Sequence, residues 1–260
     1  MIAPPDDTRL AKDLPDLVRK IRERTPARLL AGRAGAAYRT ETQLDLRSAH
    51  AAAKDAVRAE MQLTSLFDPA FTARGQLFEV STAAATKDDF LLRPDLGRHF
   101  TKGARAKILE SCPPQCDLQI AIGDGLSVPA VAAQVPALLD ALVTGAQARG
   151  WKIGRTFVIR HCRVGILNEI GKLLNPTVAV LLIGERPGLA TAESLSAYMA
   201  YRPRPGHTDA NRNLISNIHA RGVRTDAAAT RILNLAAQMM KAGASGFLVK
   251  ERAREKDLSP

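Results

Sequence analysis

Aromatic residues make up only 4% of this 260-residue chain, with one tryptophan and three tyrosines. Single-stranded nucleic acids are bound largely by stacking bases on such rings, so that kind of platform is thin here. Cysteine is scarce as well: three residues, an odd number, fit a reducing compartment better than a disulfide framework. Cys112 and Cys116 in CPPQC have the spacing of paired metal ligands, but no second Cys/His pair follows at a finger-like distance. No apolar run approaches the roughly 20 residues of a membrane span. The start, MIAPPDDTRLAKDL, lacks the apolar core of a signal peptide. No membrane partner and a cytoplasmic location are therefore expected. Also missing are a Gly-x-Gly-x-x-Gly opening a first βα unit, a Walker-type Gly-Lys-Ser/Thr loop and a Gly-x-Ser-x-Gly elbow. Those absences remove the common nucleotide-binding and serine-hydrolase signatures.

What is abundant is positive charge: 37 Lys and Arg against 26 Asp and Glu, a net charge of +11. The basic residues are scattered rather than gathered in a run, which favours docking on an acidic partner protein. A basic nucleic-acid-binding α/β protein is the rival reading of the same charge. Hydrophobic content of 46% over this length can fill a substantial core.

The apolar residues fall into three strand–turn–helix units. Leu118 to Ile122 is followed by Gly123-Asp124-Gly125, then Ser127 as a helix cap and Pro129 in the first turn. Val131, Val135, Leu138, Leu139 and Leu142 continue that helix. Phe157 to Arg160 leads through His161-Cys162-Arg163-Val164-Gly165 into a helix over Leu167 to Leu174. Val178 to Ile183 is a continuous apolar run, as in a strand buried on both faces, broken by Gly184-Glu185-Arg186-Pro187-Gly188. Thr191 then caps an expected amphipathic helix carrying Leu195, Tyr198 and Met199. The series predicts an α/β fold, a Rossmann-like, mostly parallel sheet with flanking helices and right-handed crossovers. Asp124, Val164 and Glu185 then share the carboxyl rim of the sheet, where ligands of open α/β sheets collect.

Residues 1–116 read as a more helical N-terminal region, 117–250 as the Rossmann-like domain and 251–260 as a charged tail. In the first region a helix is expected over Leu14–Arg24, followed by a long one capped by Asp45. A strand over Gly75–Thr82 and a turn at 91–98 lead into a helix through Ile108 and Leu109. The second ends with a helix over Ala227–Lys241 and a last strand over Phe247–Val249.

A catalytic constellation is not evident, and no catalytic residue is assigned. Ser127 is better explained as a cap, His50 sits inside a helix, and His161 and His219 have no local acid. Glu185 is either a buried acid or base, or an acceptor for ligand amides. Arg186 pairs with it, meets a phosphate or faces solvent.

Six segments occur in order: DLRSAHAAAKDAV from Asp45, LLRPDLGR at 91–98, IGDGLS at 122–127, RVG at 163–165, LLIGERPGL with SLSAY at 181–198, and ISNIH at 215–219. This set resembles the small (light) subunit family of ethanolamine ammonia-lyase, from about residue 14 to 250. The resemblance implies a role in converting ethanolamine to acetaldehyde and ammonia by a radical mechanism that depends on adenosylcobalamin. It implies a large TIM-barrel subunit that holds the small-molecule substrate, and a hexamer of large–small pairs, with this chain inactive alone. The small subunit is expected to close over the cobalamin, with its N-terminal region on the large subunit. The cytoplasm or a bacterial microcompartment is the implied location. The missing Asp-x-His-x-x-Gly motif agrees with base-on cofactor. Carried over by motif position, Val164 and Glu185 are cobalamin contacts. Leu214 stands where some relatives have cysteine, which implies a backbone or apolar contact. Asp124, Gly125, Ser127, Arg186 and Asn217 complete the candidate set.

Overall fold

The computed structural model describes residues 16–23, 29 and 33–251. Residues 16–23 form helix α1, so the ends of the helix expected over Leu14–Arg24 lie outside the described residues, as do tail residues 252–260. A small hairpin, β1 (Arg33–Ala34) with β2 (Ala37–Tyr38), precedes α2 (Thr40–Arg58). Asp45 lies within α2 rather than capping it, because the helix runs back to Arg39, whose side chain makes no cap bond. Two short helices follow, α3 (Leu63–Leu66) and α4 (Pro69–Arg74).

One six-stranded sheet organises the rest, in the order β3-β5-β4-β6-β7-β8. β3 (Phe78–Ser81), β5 (Phe157–Arg160), β4 (Leu118–Gly123) and β6 (Val178–Gly184) run parallel. β7 (Leu195–Tyr201) and β8 (Asn213–Ile218) are antiparallel additions to one edge. β3 comes from the stretch before residue 117 yet pairs in the same sheet, after which α5 (Lys87–Leu92) and α6 (Lys102–Ser111) run on to β4.

The parallel units follow from the sequence as expected. Ser127 Oγ accepts from Ala130 N at 3.2 Å and Pro129 occupies the first turn of α7 (Val128–Gln147). α7 returns the chain from β4, and α8 (Leu167–Leu174) returns it from β5 to β6. Alternate residues of each central strand face opposite layers. Leu118, Ile120, Ile122, Val178, Val180 and Leu182 pack under α7 and α9 (Thr225–Ala242). Ala121, Phe157, Ile159, Leu181 and Ile183 face α6 and α8.

Three expectations are corrected. The segment after Thr191 is the strand β7, not a helix. Leu195, Ala197 and Met199 are all buried on one face and Ser196 and Tyr198 lie on the other, a period of two. The spacing of Leu195 and Met199 fits both periods, and pairing along the whole of β6 decides between them. Thr191 Oγ1 accepts from Glu193 N at 3.0 Å, a local turn rather than a cap. Secondly, Gly246–Leu248 forms a 3-10 turn in place of the last strand, with Phe247 71% and Leu248 68% exposed. Thirdly, α7 is 20 residues long with a mean hydropathy of 1.4, enough by length and composition to cross a membrane. Eight of its residues are buried instead, seven of them in the core between the sheet and α9.

Candidate functional site

The parallel strands bring the ends of β4, β5 and β6 to one rim, with Asp124, the turn carrying Val164, and Glu185 following them. The rim is layered. Its inner layer is buried: Asp124 is fully enclosed and accepts from His161 N at 2.8 Å and Cys162 N at 2.7 Å. Lys87 Nζ lies 3.7 Å from the same carboxylate. Burial pushes the Asp124 carboxyl above its usual range, and Lys87 and the two amides pull it back. Asp124 thus ties the end of β4 to the turn after β5. Gly125 has φ +54, and a Cβ there would stand 2.2 Å from Gly184 O, so only glycine lets the β4 and β6 turns meet. Ser127 is buried, and its hydroxyl also donates to Ala192 O, joining α7 to the loop before β7.

The outer layer centres on Glu185. Its carboxylate accepts from Ser194 Oγ at 2.7 Å, from Ser196 Oγ, and from Asn217 N at 3.3 Å. One side chain therefore links the end of β6 to both antiparallel strands. Asn217 has φ +61 and sits at a bulge, where β8 carries an extra residue against Leu195–Ala197. Its Oδ1 meets His219 Nε2 at 2.7 Å, while His219 Nδ1 accepts from Arg221 N at 3.2 Å. Nε2 therefore carries the proton and the ring is neutral, and burial followed by the nearby Arg221 lowers its pKa. Arg186 is exposed.

Beyond this rim the two faces of the sheet differ. The α7/α9 face of β7 and β8 is covered; on the other face Ser196 and Ala200 of β7 are buried too and Tyr198 is half-buried, and it is the edge strand β8 that is left bare. Leu214 is 45% exposed directly opposite Tyr198, and Ser216 beside it is exposed. This strip borders a cleft of about 770 Å³, lined among others by Arg98, Arg163, Val164, Asn168, Tyr198 and Arg212. Arg212 Nη2 donates to Asn168 Oδ1 at 3.0 Å, and Asn168 Nδ2 donates to His207 O at 2.8 Å, which pins the 205–212 segment to α8. Burial, then Glu185, raises the Tyr198 pKa and keeps the phenol protonated, a hydrogen-bond donor at the cleft wall.

Of the residues singled out from sequence, Val164 lies in the cleft wall, Leu214 and Asn217 on or beside the bare strip, and Glu185 at their junction. Asp124, Gly125 and Ser127 support these from below without reaching the surface. Sequence reasoning missed Tyr198, Asn168 and Arg212: the first was assigned to a helix, and the others belong to loops and a short helix with no motif to mark them. The two cysteines of CPPQC are buried, and burial pushes the Cys112 thiol up to about 11.

The light chain model of ethanolamine ammonia-lyase matches residues 15–250. The chain belongs to that family. It is 39% identical over 231 residues to the ethanolamine ammonia-lyase small subunit of Clostridium perfringens, covering 89% of this chain and 76% of that protein. Identity to the small subunit of Rhodopseudomonas palustris is 39% over 234 residues, covering 90% of each chain. The small subunit of Clostridioides difficile is 40% identical over 230 residues, 88% of this chain and 76% of the relative. Apart from DLRSAHAAAKDAV on α2, the segments that carried the resemblance to this light chain family meet near the rim. LGR at 96–98 packs on RVG at 163–165, and Glu185 of GERPG bonds Ser194 and Ser196 around SLSAY and the backbone of ISNIH.

Proposed function

We propose that this chain is the small subunit of an adenosylcobalamin-dependent ethanolamine ammonia-lyase, and that it closes over base-on cofactor at the bare β7–β8 strip and the adjoining cleft. The observation that supports this is the uncovered β8 edge of the sheet. A strip of apolar and neutral polar side chains, Leu214, Tyr198, Ser216 and Asn217, is left without a helix beside a cleft of about 770 Å³. Cobalamin is ringed with carboxamides around an apolar macrocycle, so its recognition calls for neutral donors and acceptors next to apolar contact. The phenol of Tyr198 and the amides of Asn168 and Asn217 supply the first, and Val164 and Leu214 the second. The fit is chemical and partial. Pockets of about 300–1,000 Å³ enclose drug-sized ligands, and cobalamin is larger, so this chain covers one side and a second protein must cover the other.

The residues act by binding and orienting. Val164 and Leu214 give apolar surface. Glu185 holds Ser194, Ser196 and Asn217 so that the ends of β7 and β8 keep their register. Tyr198 donates a hydrogen bond at the cleft wall, and closure of this surface excludes water. When bound, adenosylcobalamin supplies hydrogen-abstraction chemistry through homolysis of its cobalt–carbon bond. Ethanolamine sits in the large subunit, a TIM barrel, in a hexamer of large–small pairs. We assign α2, within the N-terminal region, to that partner. It is 19 residues long with Ala56 its one buried residue, and an isolated helix of that length gains most stability from packing.

The test is ammonia or acetaldehyde release from ethanolamine with adenosylcobalamin, comparing this chain, the cognate large subunit and their mixture. Activity in the mixture alone is expected. A mixture no more active than the large subunit refutes the proposal, and steeply salt-dependent DNA or RNA binding by the chain would then favour the nucleic-acid reading.

A further inference from the structure

The LGR and RVG turns, which pack together beside the cleft, are interlocked. Leu96–Arg98 and Val164–Ile166 are both 3-10 turns, joined by Arg163 N donating to Gly97 O at 2.9 Å. A Cβ on Gly97 would stand 2.6 Å from Arg163 Cγ, and one on Gly165 would stand 2.9 Å from Cγ and Cδ of Arg98. Each arginine stem therefore lies on the glycine of the other turn. Arg163 is held further: its guanidinium stacks over the Phe90 ring at 4.1 Å, and Nη2 donates to Phe90 O at 2.9 Å.

The result is two arginine stems interlocked by backbone packing, with neither guanidinium in an ion pair. The cleft lining has five Lys or Arg side chains, Arg98, Arg105, Arg163, Lys172 and Arg212, and two carboxylates, Glu169 and Asp209. Both carboxylates are engaged. Glu169 accepts from Arg105 Nε at 2.6 Å and Phe100 N at 2.6 Å, and Asp209 pairs with Arg212. Among the described residues, no carboxylate forms an ion pair with Arg98, Arg163 or Lys172. Burial, then the charge of Arg186, depress the Arg163 pKa; the enclosed Asp124 pulls it back, and Arg98 adds a smaller push down. Like charges set side by side cost free energy unless an anion joins them.

We infer that the interlocked turns form an anion site in which Arg98 and Arg163 grip a phosphate ester. Planar guanidinium forks match phosphate oxygens two at a time, and a pair of them suits a group with several oxygens better than a lone carboxylate. The identity of the ester rests on the cobalamin reading, because cobalamin carries a phosphodiester in its nucleotide tail. The site itself does not rest on it, and a free phosphate ester is the other source.

The experiment measures binding to the assembled large–small complex by absorbance and calorimetry, with cobalamin, with cobinamide (which lacks the nucleotide tail and its phosphate), and with inorganic pyrophosphate. Two variants are compared. Arg98→Gln removes one exposed charge, and Gly165→Ala keeps every charge but displaces the Arg98 stem. Loss of a charge-assisted pair predicts roughly 10- to 100-fold weaker cobalamin binding in each, with cobinamide binding unchanged. Equal weakening of cobalamin and cobinamide, or no weakening of either, overturns the inference. If the unsubstituted complex binds no cobalamin, the cobalamin reading fails separately. Pyrophosphate then decides the site: binding that Arg98→Gln abolishes supports it, and absence of binding overturns it.

Discussion

Glu185→Ala removes the acceptor that joins three strands, and the cost can be worked from its partners. Ser194 and Ser196 are 9% and 1% exposed, so their hydroxyls cannot simply turn to water. A hydrogen bond to a charged group contributes about 1.5–3 kcal/mol. The Asn217 contact at 3.3 Å is long and adds little. Because three bonds to one carboxylate are not additive, the expected loss is about 2–4 kcal/mol. For a domain of this size that lowers the melting temperature by roughly 5–15 °C. Glu185→Gln keeps one acceptor oxygen, and its amide faces hydroxyls that can rotate to accept, so about half the loss is expected. The assay is thermal unfolding of the chain by circular dichroism, followed by cobalamin titration of both variants in the large–small assembly. Affinity should fall in the order of stability, since the same bonds hold the β7 and β8 ends. A Glu185→Ala chain that melts with the unsubstituted protein refutes the reasoning. Weakened cobalamin binding with unchanged melting would make Glu185 a direct contact instead.

Two further predictions follow from neighbouring geometry. Ser127→Ala removes the α7 cap and the bond to Ala192 O, so a stability loss of about 1–2 kcal/mol should lower the urea midpoint; an unchanged midpoint would show that neither bond matters. His219 has a pKa below that of a free imidazole, so below about pH 6.5 the unfolded chain binds more protons than the folded one, and stability falls as the pH is lowered. That contribution is complete above the unfolded pKa and is lost as pH drops, because a proton on Nδ1 ends its bond from Arg221 N. His219→Gln should flatten the fall in melting temperature between pH 7 and 5, and an identical slope in the variant would refute this.

The α/β class, the β4–α7 and β5–α8 units and the carboxyl rim were all legible in the sequence. Their signals are local: continuous apolar runs, a serine and a proline in the first turn of a helix, and glycines after strands. The motifs also carried family membership, because shared residue identity does not require knowing how the chain folds. What escaped was decided by pairing across distance. SLSAYMAY fits a helix until β6 lies along it, and then alternate residues face opposite layers. Glu185 was an open choice between acid, base and acceptor until two serines and an amide from other strands closed around it. Asp124, which sequence placed among ligand contacts, is enclosed by the turn after β5. Only the tertiary structure sets the LGR turn against the RVG turn, 67 residues apart in sequence, with each arginine resting on the other's glycine. The sequence by itself determined the parallel strands, the turns that follow them and most helices, since those preferences act over a few residues. Which edge stays bare and which charges are left without partners depends on contacts between segments far apart in the chain, and those exist only once the sheet has assembled.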